Sequence, residues 1–199
     1  MRRAGVDFEI EDRMTVNGYD EFRTPRISAA LRRLFAAVVF PRKKISFLKK
    51  FACAAAIKVL YAAAVRRQNR RMDAYLRRLA EKIARERIPV LGIKLWFGST
   101  FIFSLRLCEW VRRLIPETLV VVGGPQANCF YQDGLILKHT DFDLAVYSEG
   151  EDVLVELVRL AKQYRTRRER LAAVRSAGLP NLVFRDGGEV KVNPVRAVP

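Results

Sequence analysis

The sequence has one histidine, His139, so a site built from several histidines is excluded. Its three cysteines, Cys53, Cys108 and Cys129, are far apart and form neither CxxC nor CxxxCxxC. That excludes a disulfide framework and a cysteine-held cluster within this chain, and a reducing cytoplasm is expected. No G-x-G-x-x-G, no P-loop and no Ser/His/Asp set occurs. The apolar runs 51–57 and 59–65 are split by Lys58, and each is far short of the ~20 residues of a membrane span. The N-terminal VDFEIED is too acidic for a secretory leader. Acidic residues are missing altogether between Glu21 and Asp73.

What is present is strongly basic, with a net charge of +16. Residues 1–87 hold 22 Lys+Arg against 9 Asp+Glu, while 88–199 hold 15 against 12. The excess therefore sits in the first half. An anionic surface is expected to meet residues 23–71: a lipid layer, an acidic protein face or nucleic acid. Few aromatics there are arranged for base stacking and no DNA-binding motif is present, so no specific nucleic acid is expected. Half the residues are hydrophobic, enough for a sizeable core.

Taken in order, 1–26 reads as loop, with Asn17-Gly18 as a turn. Ser28 caps a helix over 29–40, ended by Pro41. The basic segment 42–44 opens the next stretch. Ile45, Leu48, Phe51, Ala55 and Val59 recur every three or four residues, predicting an amphipathic helix over 46–65. A basic block, 66–71, precedes a third helix over 73–87 with Tyr75, Leu79 and Ile83 inward. After Pro89 the pattern changes. Strands are expected at 90–97, 119–122 and 143–147, with helices at 101–115 and 152–164 between and after them. In the first of these helices Leu105, Cys108 and Leu114 should face in, and Arg106, Arg112 and Arg113 out. Residues 126–140 are less regular, with a short helix around Leu135. Residues 165–170 read as a charged surface turn. Asp186-Gly187-Gly188 sets the turn of a hairpin within 178–192.

Strand, helix, strand, helix, strand, helix predicts a parallel sheet with right-handed crossovers, preceded by a basic, mainly helical region. The expected divisions are 1–87, 88–177 and 178–199. Ligands of such sheets sit at the carboxyl ends of the strands. Those ends hold Gly98-Ser99, Gly123-Gly124-Pro125 and Ser148-Glu149-Gly150, with Lys94 on the first strand. These nine residues are the candidate binding site. No residue is assigned a catalytic or metal-ligating role. Glu149 and Glu151 suit the first turn of a helix. Asp141 and Asp143 should be solvated, His139 should be a surface residue, Trp96 and Phe97 should be core or subunit contacts, and Cys108 and Cys129 buried thiols.

Residues 88–194 resemble the cobalamin-binding domain that precedes the catalytic domain of cobalamin-dependent radical S-adenosylmethionine enzymes. The likeness rests on the strand at 90–98, on VVVGGPQA at 120–127, on DLAVYSEGED at 143–152 and on GLPNLVFRDGGEVKVNP at 178–194. It implies a flavodoxin-like α/β fold with flanking helices, and cobalamin as cofactor. It also implies that S-adenosylmethionine and a 4Fe-4S cluster belong to a catalytic domain or subunit not present here. On that reading the chain stops where the catalytic domain would begin, 178–199 bridges to it, and this chain is not catalytic alone. Gly123 and Gly124 match the glycine pair that lets the nucleotide tail pass. Three departures stand out. There is no Asp-x-His-x-x-Gly loop, Lys94-Leu95-Trp96 replaces the usual Ser-x-Leu, and the first strand-helix unit is not recognisable. The alternative is a degenerate α/β scaffold that binds an anionic partner through its basic helices.

Overall fold

A computed structural model describes residues 5–11, 25–41, 46–130 and 134–196, with backbone only for Ser99 and Phe130. The expected turn at 17–18 and the segment 42–44 lie outside these residues. The chain forms two compact units, one of Met1–Glu9 with Leu76–Pro199, the other Ile10–Tyr75.

Helix α1, Pro25–Val39, starts on a proline, whose missing N–H and fixed φ suit a first turn. It therefore begins before Ser28, the expected cap. Helix α2, Phe47–Arg85, runs for 39 residues and replaces the two helices and basic block read from the sequence. The physical reason is plain: 47–88 contains neither Gly nor Pro, and Arg, Gln and Lys propagate a helix well. A charge block changes a helix's surface without ending it.

From Pro89 on, the elements alternate. Strand β1 is Val90–Lys94, α3 Ser99–Leu114, β2 Leu119–Gly123, α4 Pro125–Phe130, α5 Leu135–Lys138, β3 Leu144–Val146 and α6 Glu151–Gln163. Then come α7, Arg167–Ser176, and the hairpin β4, Leu182–Asp186, with β5, Glu189–Val192. The sheet order is β1-β2-β3-β4-β5. β1, β2 and β3 are parallel, with Val90 opposite Leu119 and Val121 opposite Leu144. The hairpin adds two antiparallel strands, Leu144 opposite Phe184. So the expected α/β fold is observed, and 178–192 completes the sheet.

Both faces are covered. On one, Leu119, Val121, Leu144 and Val146 pack with Val153 and Leu157 of α6 and Val174 of α7. The alternate residues Val120, Val122, Ala145 and Val183 are equally buried. A strand apolar on both sides is what a central parallel sheet requires.

Helix α7 stands where a surface turn was expected. Its capping box was present in the sequence as Thr166-Arg-Arg-Glu169. Glu169 N donates to Thr166 Oγ1 (3.2 Å), and Thr166 N donates to Glu169 Oε2 (3.0 Å). Arg170 then donates to Ala161 O and Tyr164 O, closing the end of α6.

Asp143 corrects the sequence reading most sharply. It is 3 % exposed, not solvated. Its carboxylate accepts from Val120 N (2.7 Å), Arg112 Nη2 (2.5 Å) and Arg167 Nε (2.7 Å). Arg112, expected to face out, is thereby drawn to the sheet, while Leu114, expected to face in, is 43 % exposed. Among the described residues no helix is long and apolar enough to cross a membrane.

Candidate functional site

The three parallel strands end on one edge of the sheet. Register places Lys94 opposite Gly123, and Leu95 N donates to Gly123 O (2.7 Å), so the first two loops leave the sheet side by side. The third loop is tied in by side chains. Ser148 N donates to Asn128 Oδ1 (2.9 Å), linking it to α4. Asn181 Nδ2 donates to Glu149 O (2.9 Å), linking it to the chain before β4. All nine candidate residues therefore lie at or next to this edge.

Their glycines do different jobs. Gly124 has φ +97, and a Cβ there would sit 3.0 Å from Lys94 Cγ and 3.1 Å from Leu95 O. The space that its missing side chain leaves is already filled by β1's own continuation. A Cβ on Gly123 would lie 3.3 Å from Val146 O, and one on Gly150 would lie 2.5 Å from Val146 Cγ1. These three glycines let the loops pack on each other. Gly98 differs: φ is +79 and, among the described residues, nothing lies within 4 Å of its Cβ position. Pro125 opens α4, as its fixed φ favours. Ser99 opens α3.

The surroundings are open. Trp96 is 46 % and Phe97 54 % exposed, so of the two roles expected, core residue or subunit contact, the first does not apply. Lys94 Nζ lies 5.6 Å from the Trp96 ring centroid, a cation–π contact at the mouth of the site. Ser148 and Glu149 are exposed. Ser148 has φ 58, a left-handed conformation uncommon for serine, held by the Asn128 hydrogen bond. Glu151 and Asp152 occupy the first turn of α6, where carboxylates suit the helix dipole. One polar atom close in sequence is unexplained: Gln126 Oε1, just past Pro125, is buried without a hydrogen-bond partner among the described residues. Sequence reasoning did not single out Gln126; a polar residue directly after GGP was the available signal.

His139 is at the other end of the sheet. It follows α5, precedes β3 and lines a cleft of about 380 Å³ with Leu105, Cys108 and Asp141. Arg185 fixes that segment by donating to Leu137 O and Phe142 O. His139 is exposed, as expected. Among the described residues no group of His, Cys, Asp and Glu could hold a metal ion. Cys108 is buried as expected, and burial pushes its thiol up to about 11. Cys129 is exposed, against expectation. At pH 8 a thiol reagent should therefore label Cys129 in the native protein, and Cys108 only after denaturant is added; thiol counts before and after unfolding check this.

The profile of the B12-binding domain family matches residues 49–158, from near the start of α2 through β1, α3, β2, α4, α5 and β3 into α6. The chain belongs to the B12-binding domain family. No curated protein matches the chain. The match makes cobalamin the cofactor to test against the geometry. An open edge with half-exposed Trp96 and Phe97, free space at Gly98 and an unsatisfied Gln126 Oε1 fits a large flat group lying across the loops.

Proposed function

We propose that this B12-binding domain holds cobalamin for a radical S-adenosylmethionine enzyme whose catalytic domain is separate from residues 1–199. The observation that supports it is the family match laid over a sheet whose three parallel strands end together on one edge. When bound, cobalamin supplies a cobalt centre suited to methyl transfer or radical chemistry. S-adenosylmethionine and the 4Fe-4S cluster would come with the catalytic domain, which 178–199 would join, and the cytoplasm is the compartment we propose.

This chain's own residues would bind and orient. Trp96 and Phe97 offer apolar surface beside the ends of β1 and β2. Gly98 leaves room just before α3, and Ser99 opens that helix. Gly123, Gly124 and Pro125 set the height of the middle loop. Ser148, Glu149 and Gly150 present polar groups from the third. Lys94 is an exposed point charge at the rim, able to meet a phosphate or to obstruct the site.

Titration with hydroxocobalamin, followed by visible absorbance, tests the reading. The bound form should show no histidine ligation, and His139→Ala should give the same spectrum, since His139 lies at the opposite end of the sheet. A spectral change in that variant would contradict the placement. Lys94→Ser should raise the affinity severalfold by clearing the rim; unchanged or weaker binding would remove Lys94 as an obstacle. A CxxxCxxC motif in the following reading frame, in the same gene or the next, would support the catalytic partner.

A further inference from the structure

The unit Ile10–Tyr75 holds α1 and most of α2. In α2 the residues Ala56, Ile57, Leu60 and Ala64 are half-buried and share one side of the helix. At 100° per residue, Phe47, Leu48, Phe51, Ala55 and Val59 fall on the other side. Phe47 is 83 %, Leu48 77 %, Phe51 67 % and Val59 68 % exposed. The apolar stripe that the spacing points inward is thus turned to solvent. Helix α1 adds Phe35 and Val39, four residues apart, at 57 % and 46 %. Exposed cations flank these residues: Lys49, Lys50 and Lys58 on α2, and Arg32 and Arg33 on α1. Between Arg23 and Arg71 there are 14 Lys+Arg and no acid.

We propose that this stripe lies flat on an anionic lipid bilayer. Three occupants compete, and the chemistry separates them. A nucleic acid would use the cations but leaves a five-residue apolar stripe unsatisfied. A protein interface would cover the stripe, but interface cores are depleted in lysine, and charge of one sign over 49 residues is unlike them. An anionic headgroup layer takes both. Phe and Leu enter the acyl boundary, while lysine stems lie along apolar surface and keep their charge among phosphates. No described helix can span, so the contact is interfacial.

The test uses the full chain with vesicles of phosphatidylcholine alone, of phosphatidylcholine with phosphatidylglycerol, and with heparin as a lipid-free polyanion. Sedimentation should be at least about tenfold stronger with the anionic vesicles than with the neutral ones. Phe47→Ser with Phe51→Ser should weaken vesicle binding at least about tenfold and leave heparin binding unchanged, because only the bilayer buries those rings. Both side chains are exposed, so far-UV circular dichroism should not move. Equal binding to neutral vesicles, absence of binding to anionic ones, or vesicle binding indifferent to the double variant would each overturn the proposal. Cobalamin binding is read independently and does not depend on the outcome.

Discussion

Asp143→Ala should cost about 3–5 kcal/mol of stability, the range for breaking a buried ion pair on one side. The carboxylate side chain is fully shielded from water, and Arg112 beside it is only 16 % exposed. Removing the carboxylate strands the Arg112 charge, leaves Val120 N without its acceptor and unpins Arg167, whose Nη2 lies 2.6 Å away. Since a domain's whole stability is ~5–15 kcal/mol, much of the variant should be unfolded near physiological temperature. Asp143→Asn keeps an acceptor for Val120 and should lose less. Urea unfolding of the three proteins checks the order. A loss under about 1 kcal/mol for Asp143→Ala, as at an exposed pair, would show that the site is not closed to water.

Gly124→Val should lose about 2–4 kcal/mol, by two separable effects. A β-branched residue at φ +97 is a steric outlier, which costs roughly 1–3 kcal/mol. The new Cβ also meets Leu95 O at 3.1 Å, and the backbone there, tied to β2 by the Leu95 N–Gly123 O hydrogen bond, cannot yield as a flexible side chain can. Lys94 Cγ, at 3.0 Å, can yield. Lys94→Ser should therefore relieve only part of the loss, and the double-mutant cycle measures that part. Weakened cobalamin binding in Gly124→Val would report a damaged fold; it would not show that Gly124 touches the ligand. A variant as stable as the parent would mean that the loop is free to move away from β1.

The parallel sheet was legible because its strands are short apolar runs punctuated by Gly, Ser and Pro. The hairpin was legible from Asp186-Gly187. The nine candidate residues could be placed on one edge because strand ends in a parallel sheet share an end. Three things were not legible. Asp143 looked like a solvated strand flank, because its partners Arg112 and Arg167 are 31 and 24 residues away and only the crossovers bring them together. The contact that Gly124 makes with Leu95 was not legible, since close approach by a ligand and close approach by Leu95 call for the same missing Cβ. The stripe through Phe51 showed its period but not its direction: period tells that residues share a face, and packing decides what that face meets. Helix α7 had a signal, the Thr166–Glu169 capping box, beneath a run of arginines that reads as surface.

Gel filtration of the chain after incubation with hydroxocobalamin tests the central claim most directly. Corrin absorbance should elute with the protein at about one per chain, with the same spectrum in His139→Ala. Complete loss of the corrin from the protein peak, in the parent and in Lys94→Ser alike, would contradict it.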